Sequence, residues 1–197
     1  SGIKFLAKTG DCIFDADTFG HRAQLDSLVE LRRALEEASP SLQMNALLNL
    51  ESRPDDSRQL SEELIPQLKV RDRDQRAQAV LTISACTTEN EDALHAVLSL
   101  SDDEESSVRL SVATVLQPRS VDDQSSIRTL TRLLADRDPN VIIQAASSLL
   151  EFESLPDELL RPALELLRQG NIRCDEPMMQ RALLLLERVC DDVPALL

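Results

Sequence analysis

The sequence predicts an all-α fold, an α-solenoid of about five antiparallel helix pairs stacked into a superhelix. Three observations carry this. First, apolar residues recur at a spacing of 33: Leu31, Leu64, Val97 and Leu130; Met44, Ala77, Leu110 and Ile143; Leu47, Val80, Ala113 and Ala146; Leu50, Ile83, Leu116 and Leu149. Self-similarity at a fixed period of roughly 20–50 residues marks stacked repeats. Second, spacing within a unit is helical, as in Leu130, Leu133 and Leu134 at i, i+3, i+4. Third, four glycines, no Trp and no Tyr leave little material for strands and their turns.

Residues 1–24 do not follow the repeat. They hold Phe5, Phe14 and Phe19 and are expected to be an N-terminal cap or a linker. The remainder, 25–197, is one repeat domain with units near 25–57, 58–90, 91–123, 124–156 and 157–197. In the first unit Leu28, Leu31 and Leu35 face inward, Ser39-Pro40-Ser41 turns the chain, and Ser52 to Ser57 links onward. The second unit carries Pro66 in its first helix, where it should kink the helix or mark its first turn. The third has an acidic turn, Asp102-Asp103-Glu104-Glu105, ahead of its second helix and Pro118 after it.

The fourth unit, Ser126 to Phe152, is the clearest. Two helices flank the turn Asp136-Arg137-Asp138-Pro139-Asn140, with Asp138 as N-cap and Pro139 in the first helical turn. The fifth breaks the period: its turn is expected to run from Arg168 to Pro177, followed by a stripe of Met178, Ala182, Leu183, Leu186 and Val189.

The turns resemble those of a known family. Glu105-x-x-Val108-Arg109 is similar to the D-x-x-V-R segment that opens the second helix of HEAT repeats; Asp72-x-x-Gln75-Arg76 keeps only the Arg and Asp138-x-x-Val141-Ile142 only the Val. The resemblance covers roughly Leu25 to Val189. It implies a superhelix used for protein–protein interaction and is nearly silent on the partner. Some HEAT-repeat enzymes hold a di-iron centre through His-Glu pairs, and none of those pairs exists here. Phycobilin lyase subunits contain similar repeats, but a bilin pocket needs aromatic and His contacts, and aromatics are only 2% of this chain.

Net charge is −14, which opposes binding to phosphate backbones and anionic membranes and admits a basic partner. No apolar run reaches the roughly 20 residues of a membrane span. Ser1-Gly2 reads as the scar of a removed tag, so the sequence is expected to be a piece of a longer protein or to have lost its own N-terminus. An Arg-rich, Lys-poor basic set points to a GC-rich bacterial genome. The expectation is a cytoplasmic protein, monomeric by itself.

Chemistry is sparse. His21 and His95 are far apart and neither adjoins a Glu. Cys12, Cys86, Cys174 and Cys190 show no C-x-x-C, so no zinc site is expected, and Cys174 is the candidate reactive thiol. Asp11, Asp15 and Asp17 lack the order of a calcium loop. With no phosphate loop and no triad, the expectation is no catalytic residues, no metal and no cofactor.

The expected function is a non-enzymatic scaffold that binds a protein or peptide along the concave ridge of second helices. The alternative is a regulatory or accessory module of a larger enzyme or of a secretion or signalling protein. The candidate ridge residues are Asn45, Gln78, Ser111 and Gln144 in one column and Asn49, Thr82 and Ser148 in another. They are uncharged in a protein that is 28% charged. Arg76 and Arg109 share a third column and either meet an acidic segment or pair with turn acids such as Asp72 and Glu105.

Overall fold

The computed structural model describes residues 25–192 except 26, 38, 88, 119–122 and 174. The N-terminal cap or linker, Cys12, His21, the Asp11–Asp17 acids and Cys174 lie outside the described residues.

Among the described residues there are eleven α-helices and no strand. Five pairs stack in order. They are α1 (Leu28–Glu37) with α2 (Pro40–Glu51), α4 (Ser61–Gln67) with α5 (Arg73–Ile83), α6 (Glu91–Ser99) with α7 (Ser106–Val115), α8 (Asp123–Leu133) with α9 (Pro139–Leu149), and α10 (Leu160–Arg173) with α11 (Glu176–Asp192). A short extra helix, α3 (Pro54–Gln59), occupies most of the link between the first two pairs, where the sequence suggests only a connector. Pro54 opens it and Ser57 is buried, its hydroxyl donating to Leu50 O at 2.8 Å.

Three of the four repeat columns form the core. Leu31, Leu64, Val97 and Leu130 are wholly buried on the first helices; Leu47, Val80, Ala113 and Ala146, with Leu50, Ile83, Leu116 and Leu149, are buried on the second. The remaining column, Met44, Ala77, Leu110 and Ile143, is half-buried at the edge of the second helices. At roughly 25 cal/mol per Å² of apolar area removed from water, these columns supply most of the driving force for stacking.

The second helices, α2, α5, α7, α9 and α11, pack along one another closely, whereas the first helices touch only sparsely. The array therefore curves toward its second helices, and these line the concave face. Small residues permit the approach. Ala79, Ala113, Ala145 and Ala146 are fully buried there.

Local signals behave as the sequence suggests at several turns. Asp138 caps α9, its carboxylate accepting from Asn140 N at 2.9 Å, with Pro139 in the first turn. Asp72 caps α5 through Gln75 N at 2.8 Å. Asn90 caps α6 through Ala93 N at 3.1 Å.

Other expectations need correcting. Pro66 lies in the last turn of α4, where it ends the helix instead of starting it. The fifth unit has no long turn: α10 continues to Arg173 and α11 begins at Glu176. Gly170, inside the expected turn, is buried within α10, where an added Cβ would stand 2.8 Å from Met179 Cγ and 3.1 Å from Met179 N. The glycine is there because the two helices cross so closely. The buried stripe of α11 is Met178, Ala182, Leu185 and Val189; Leu183 and Leu184 instead face solvent.

Candidate functional site

The concave face is built from seams between successive second helices, and each seam has its own chemistry. Thr82 donates to Leu47 O at 3.1 Å across the first seam, and Ser148 donates to Ala113 O at 2.7 Å across the third. Both side chains belong to the predicted ridge, and the structure places both between helices, buried. Ser111 is also buried. Asn49 donates to Asn45 O at 2.8 Å within α2. The ridge residues that reach the surface are Asn45, Asn49, Gln78 and Gln144, all half-buried. Gln78 donates to Glu51 Oε2 at 2.9 Å and Gln144 to Ser148 Oγ at 3.3 Å.

Arg76 and Arg109 are inside the seams as well. Arg76 makes a two-pronged pair with Asp103 at 2.9 Å on both prongs, and its third nitrogen reaches Val70 O and Arg71 O at 2.9 and 2.8 Å. Arg109 repeats the arrangement one unit on, meeting Asp136 at 2.7 and 2.8 Å and Asp103 O and Glu104 O at 2.7 and 3.1 Å. The partners are acids of the next unit's turn, in place of the expected Asp72 and Glu105. Asp72 is committed to its own cap, and Glu105 pairs with Arg73 at 3.3 Å.

Side-chain exposure is 10% and 8% for Arg76 and Asp103, and 12% and 7% for Arg109 and Asp136. Burial would raise the Asp103 carboxyl, but the Arg76 guanidinium and the Glu105 N–H, at 3.0 Å, outweigh it and hold the carboxyl below its ordinary range. Asp136 behaves alike: burial acts against it, and Arg109 with the Asp138 N–H, at 2.8 Å, brings it down.

A shallow groove crosses the C-terminal ends of α2, α5 and α7. It is lined by Glu51, Leu81, Ser84, Thr87, Thr114 and Val115, with Pro54 and Arg58 of α3 on one rim. Sequence columns miss it because they track helix faces, whereas this groove lies at helix ends. One signal was available. Glu51 is the last residue of α2, which has no basic residue in its last turn. A carboxylate there stands against the helix dipole.

Among the described residues, no group of three or more His, Cys, Asp or Glu is placed to hold a metal ion. No helix there is long and apolar enough to cross a membrane. Cys86 is buried, donates to Ser57 O at 3.3 Å, and burial pushes its thiol up to about 11. His95 is exposed on α6.

The fold is that of a helical-repeat solenoid, and the comparisons with known proteins agree. Residues 61–151 match the family model of HEAT repeats. That matching stretch spans α4 to α9. Among solved structures it is similar to a designed armadillo repeat protein in complex with the peptide (KR)4, with a TM-score of 0.61 and 18% identity over 82% of this chain and 81% of that one. It is also similar to a computationally designed armadillo repeat protein for modular peptide recognition, at 0.59 and 16% over 82% and 81%. An engineered protein matches at 0.58 and 17% over 83% and 79%. No curated protein sequence matches the chain.

Proposed function

We propose that the chain is a non-enzymatic scaffold that holds a protein or peptide partner along its concave face. The observation that carries this reading is a stack of closely packed second helices presenting uncharged Asn45, Gln78 and Gln144 in a protein of net charge −14. A face kept only for solubility would carry its share of Glu and Arg. Amides at repeat spacing can donate to and accept from an extended backbone. The designed armadillo proteins named above, of similar fold, are described by peptide binding and support the same use here.

The test is a display library of random extended peptides screened against the wild type and against Asn45→Arg/Gln144→Arg. Both positions are half-buried and outside the core columns, so the variant should keep its helical circular dichroism. Peptides that bind the wild type and lose at least tenfold on the variant place the partner on the concave face. A library that yields no binder, or only binders indifferent to the variant, overturns the reading.

A further inference from the structure

The groove at the ends of α2, α5 and α7 is rich in hydrogen-bond acceptors, with the exposed Arg58 and Gln117 as its side-chain donors. Ser84 donates its hydroxyl proton to Leu81 O at 2.7 Å, Thr87 to Ser84 O at 2.8 Å, and Thr114 to Leu110 O at 2.9 Å. All three lining hydroxyls have their single proton committed to backbone. What remains for an occupant is lone pairs. Glu51, held at 2.9 Å by the neutral Gln78 amide, adds a carboxylate that accepts only. The ends of three helices converge here, and helix C-termini present carbonyl oxygens and negative partial charge. The basic side chain on the rim, Arg58, is already paired with Asp55 at 2.7 Å. Leu81 and Val115, both half-buried, give the groove an apolar floor suited to a methylene stem.

We infer that this groove receives a lysine or arginine side chain of an extended peptide, with Glu51 as its counter-charge. The inference deepens the concave-face reading and rests on it. A cationic side chain is the occupant that matches the groove. Ammonium and guanidinium groups are donors without acceptors, so neither conflicts with Glu51 and the three hydroxyls. A carboxylate or phosphate would meet the lone pairs of these hydroxyls and the Glu51 carboxylate, which repels it. Glu51 sits at a helix end where the dipole disfavours a carboxylate, and a cationic side chain bound there would offset both.

The probe is a fluorescein-labelled octapeptide of alternating lysine and arginine, with an alternating serine–asparagine octapeptide and an all-glutamate octapeptide beside it. Anisotropy at low salt is read on the wild type, on Glu51→Gln, and on Glu158→Gln, which removes the same charge from an exposed position in another unit. The basic peptide is expected to bind, to weaken about fivefold or more on Glu51→Gln, and to change less than twofold on Glu158→Gln; an exposed ion pair is of this size. Equal weakening by the two variants means diffuse charge attraction and overturns the assignment. So does binding indifferent to Glu51. If the neutral or acidic peptide binds and the basic one does not, the groove assignment fails while the concave-face reading stands. If no peptide of any charge binds, the concave-face reading fails with it.

Discussion

The inner seams of the array and its outer seams solve one packing problem with different chemistry. One column runs Gln43, Arg76, Arg109, Ile142 at the repeat spacing. A second, 27 residues further along each time, runs Val70, Asp103, Asp136, Gln169. Guanidinium occurs where carboxylate waits in the next unit, and where the acid is absent the Arg is absent as well. In the first seam Gln75 donates to Gln43 Oε1 at 2.9 Å and to Gln67 Oε1 at 2.8 Å, and both Gln43 and Gln67 donate to Leu35 O at 3.1 Å. In the last seam the column residue is Ile142, fully buried. The lesson is that an almost dry seam tolerates a complete ion pair, a complete amide relay or a plain apolar side chain. It does not tolerate half of a pair, because an unmatched buried charge costs far more than the pair contributes.

The sharpest way to break the contrast is to leave one half behind. Asp136→Ala strands the Arg109 guanidinium in the third seam and is expected to cost about 3–5 kcal/mol in urea unfolding. Gln75→Ala, in the neutral seam, strands two amide oxygens and should cost less, about 1–3 kcal/mol.

Acid sharpens the same contrast. The Asp103 and Asp136 carboxyls sit below their ordinary range when folded, so their stabilisation is fully present above the unfolded value of about 4. It is lost as pH falls through the lower folded values. The urea midpoint of the wild type should therefore drop more steeply below about pH 4 than that of Arg109→Met/Asp136→Leu, measured side by side. The smallest effect belongs on the open concave face: Gln144→Ala, half-buried with a 3.3 Å bond to Ser148, should stay within about 0.5 kcal/mol.

The sequence made the helix pairs and the core legible because both follow from a local period. Leu47, Val80, Ala113 and Ala146 needed only counting, and Asp138-Pro139 announced its cap. What crosses between units was harder to read. Asp72 and Glu105 lie closer in sequence to Arg76 and Arg109 than the acids actually used, and only the stacking geometry decides. The phase of α11 failed for a related reason. Five consecutive apolar residues, Ala182 to Leu186, allow more than one stripe, and contact with α10 selects Leu185 over Leu183. Gly170 falls within the expected Arg168–Pro177 turn, yet it lies inside α10 and admits Met179. Of the ridge residues, burial removed Ser111, Thr82 and Ser148 from the surface. Helix-end features such as the Glu51 groove have no period to betray them.

The rule that a seam holds both members of its pair or neither is tested most directly by a double-mutant cycle on Arg109→Met and Asp136→Leu, read by urea unfolding at pH 7. Each single change should cost about 3 kcal/mol or more, and the double variant should lie within about 1 kcal/mol of the wild type. Additive losses, with the double variant as unstable as the two singles summed, would contradict it.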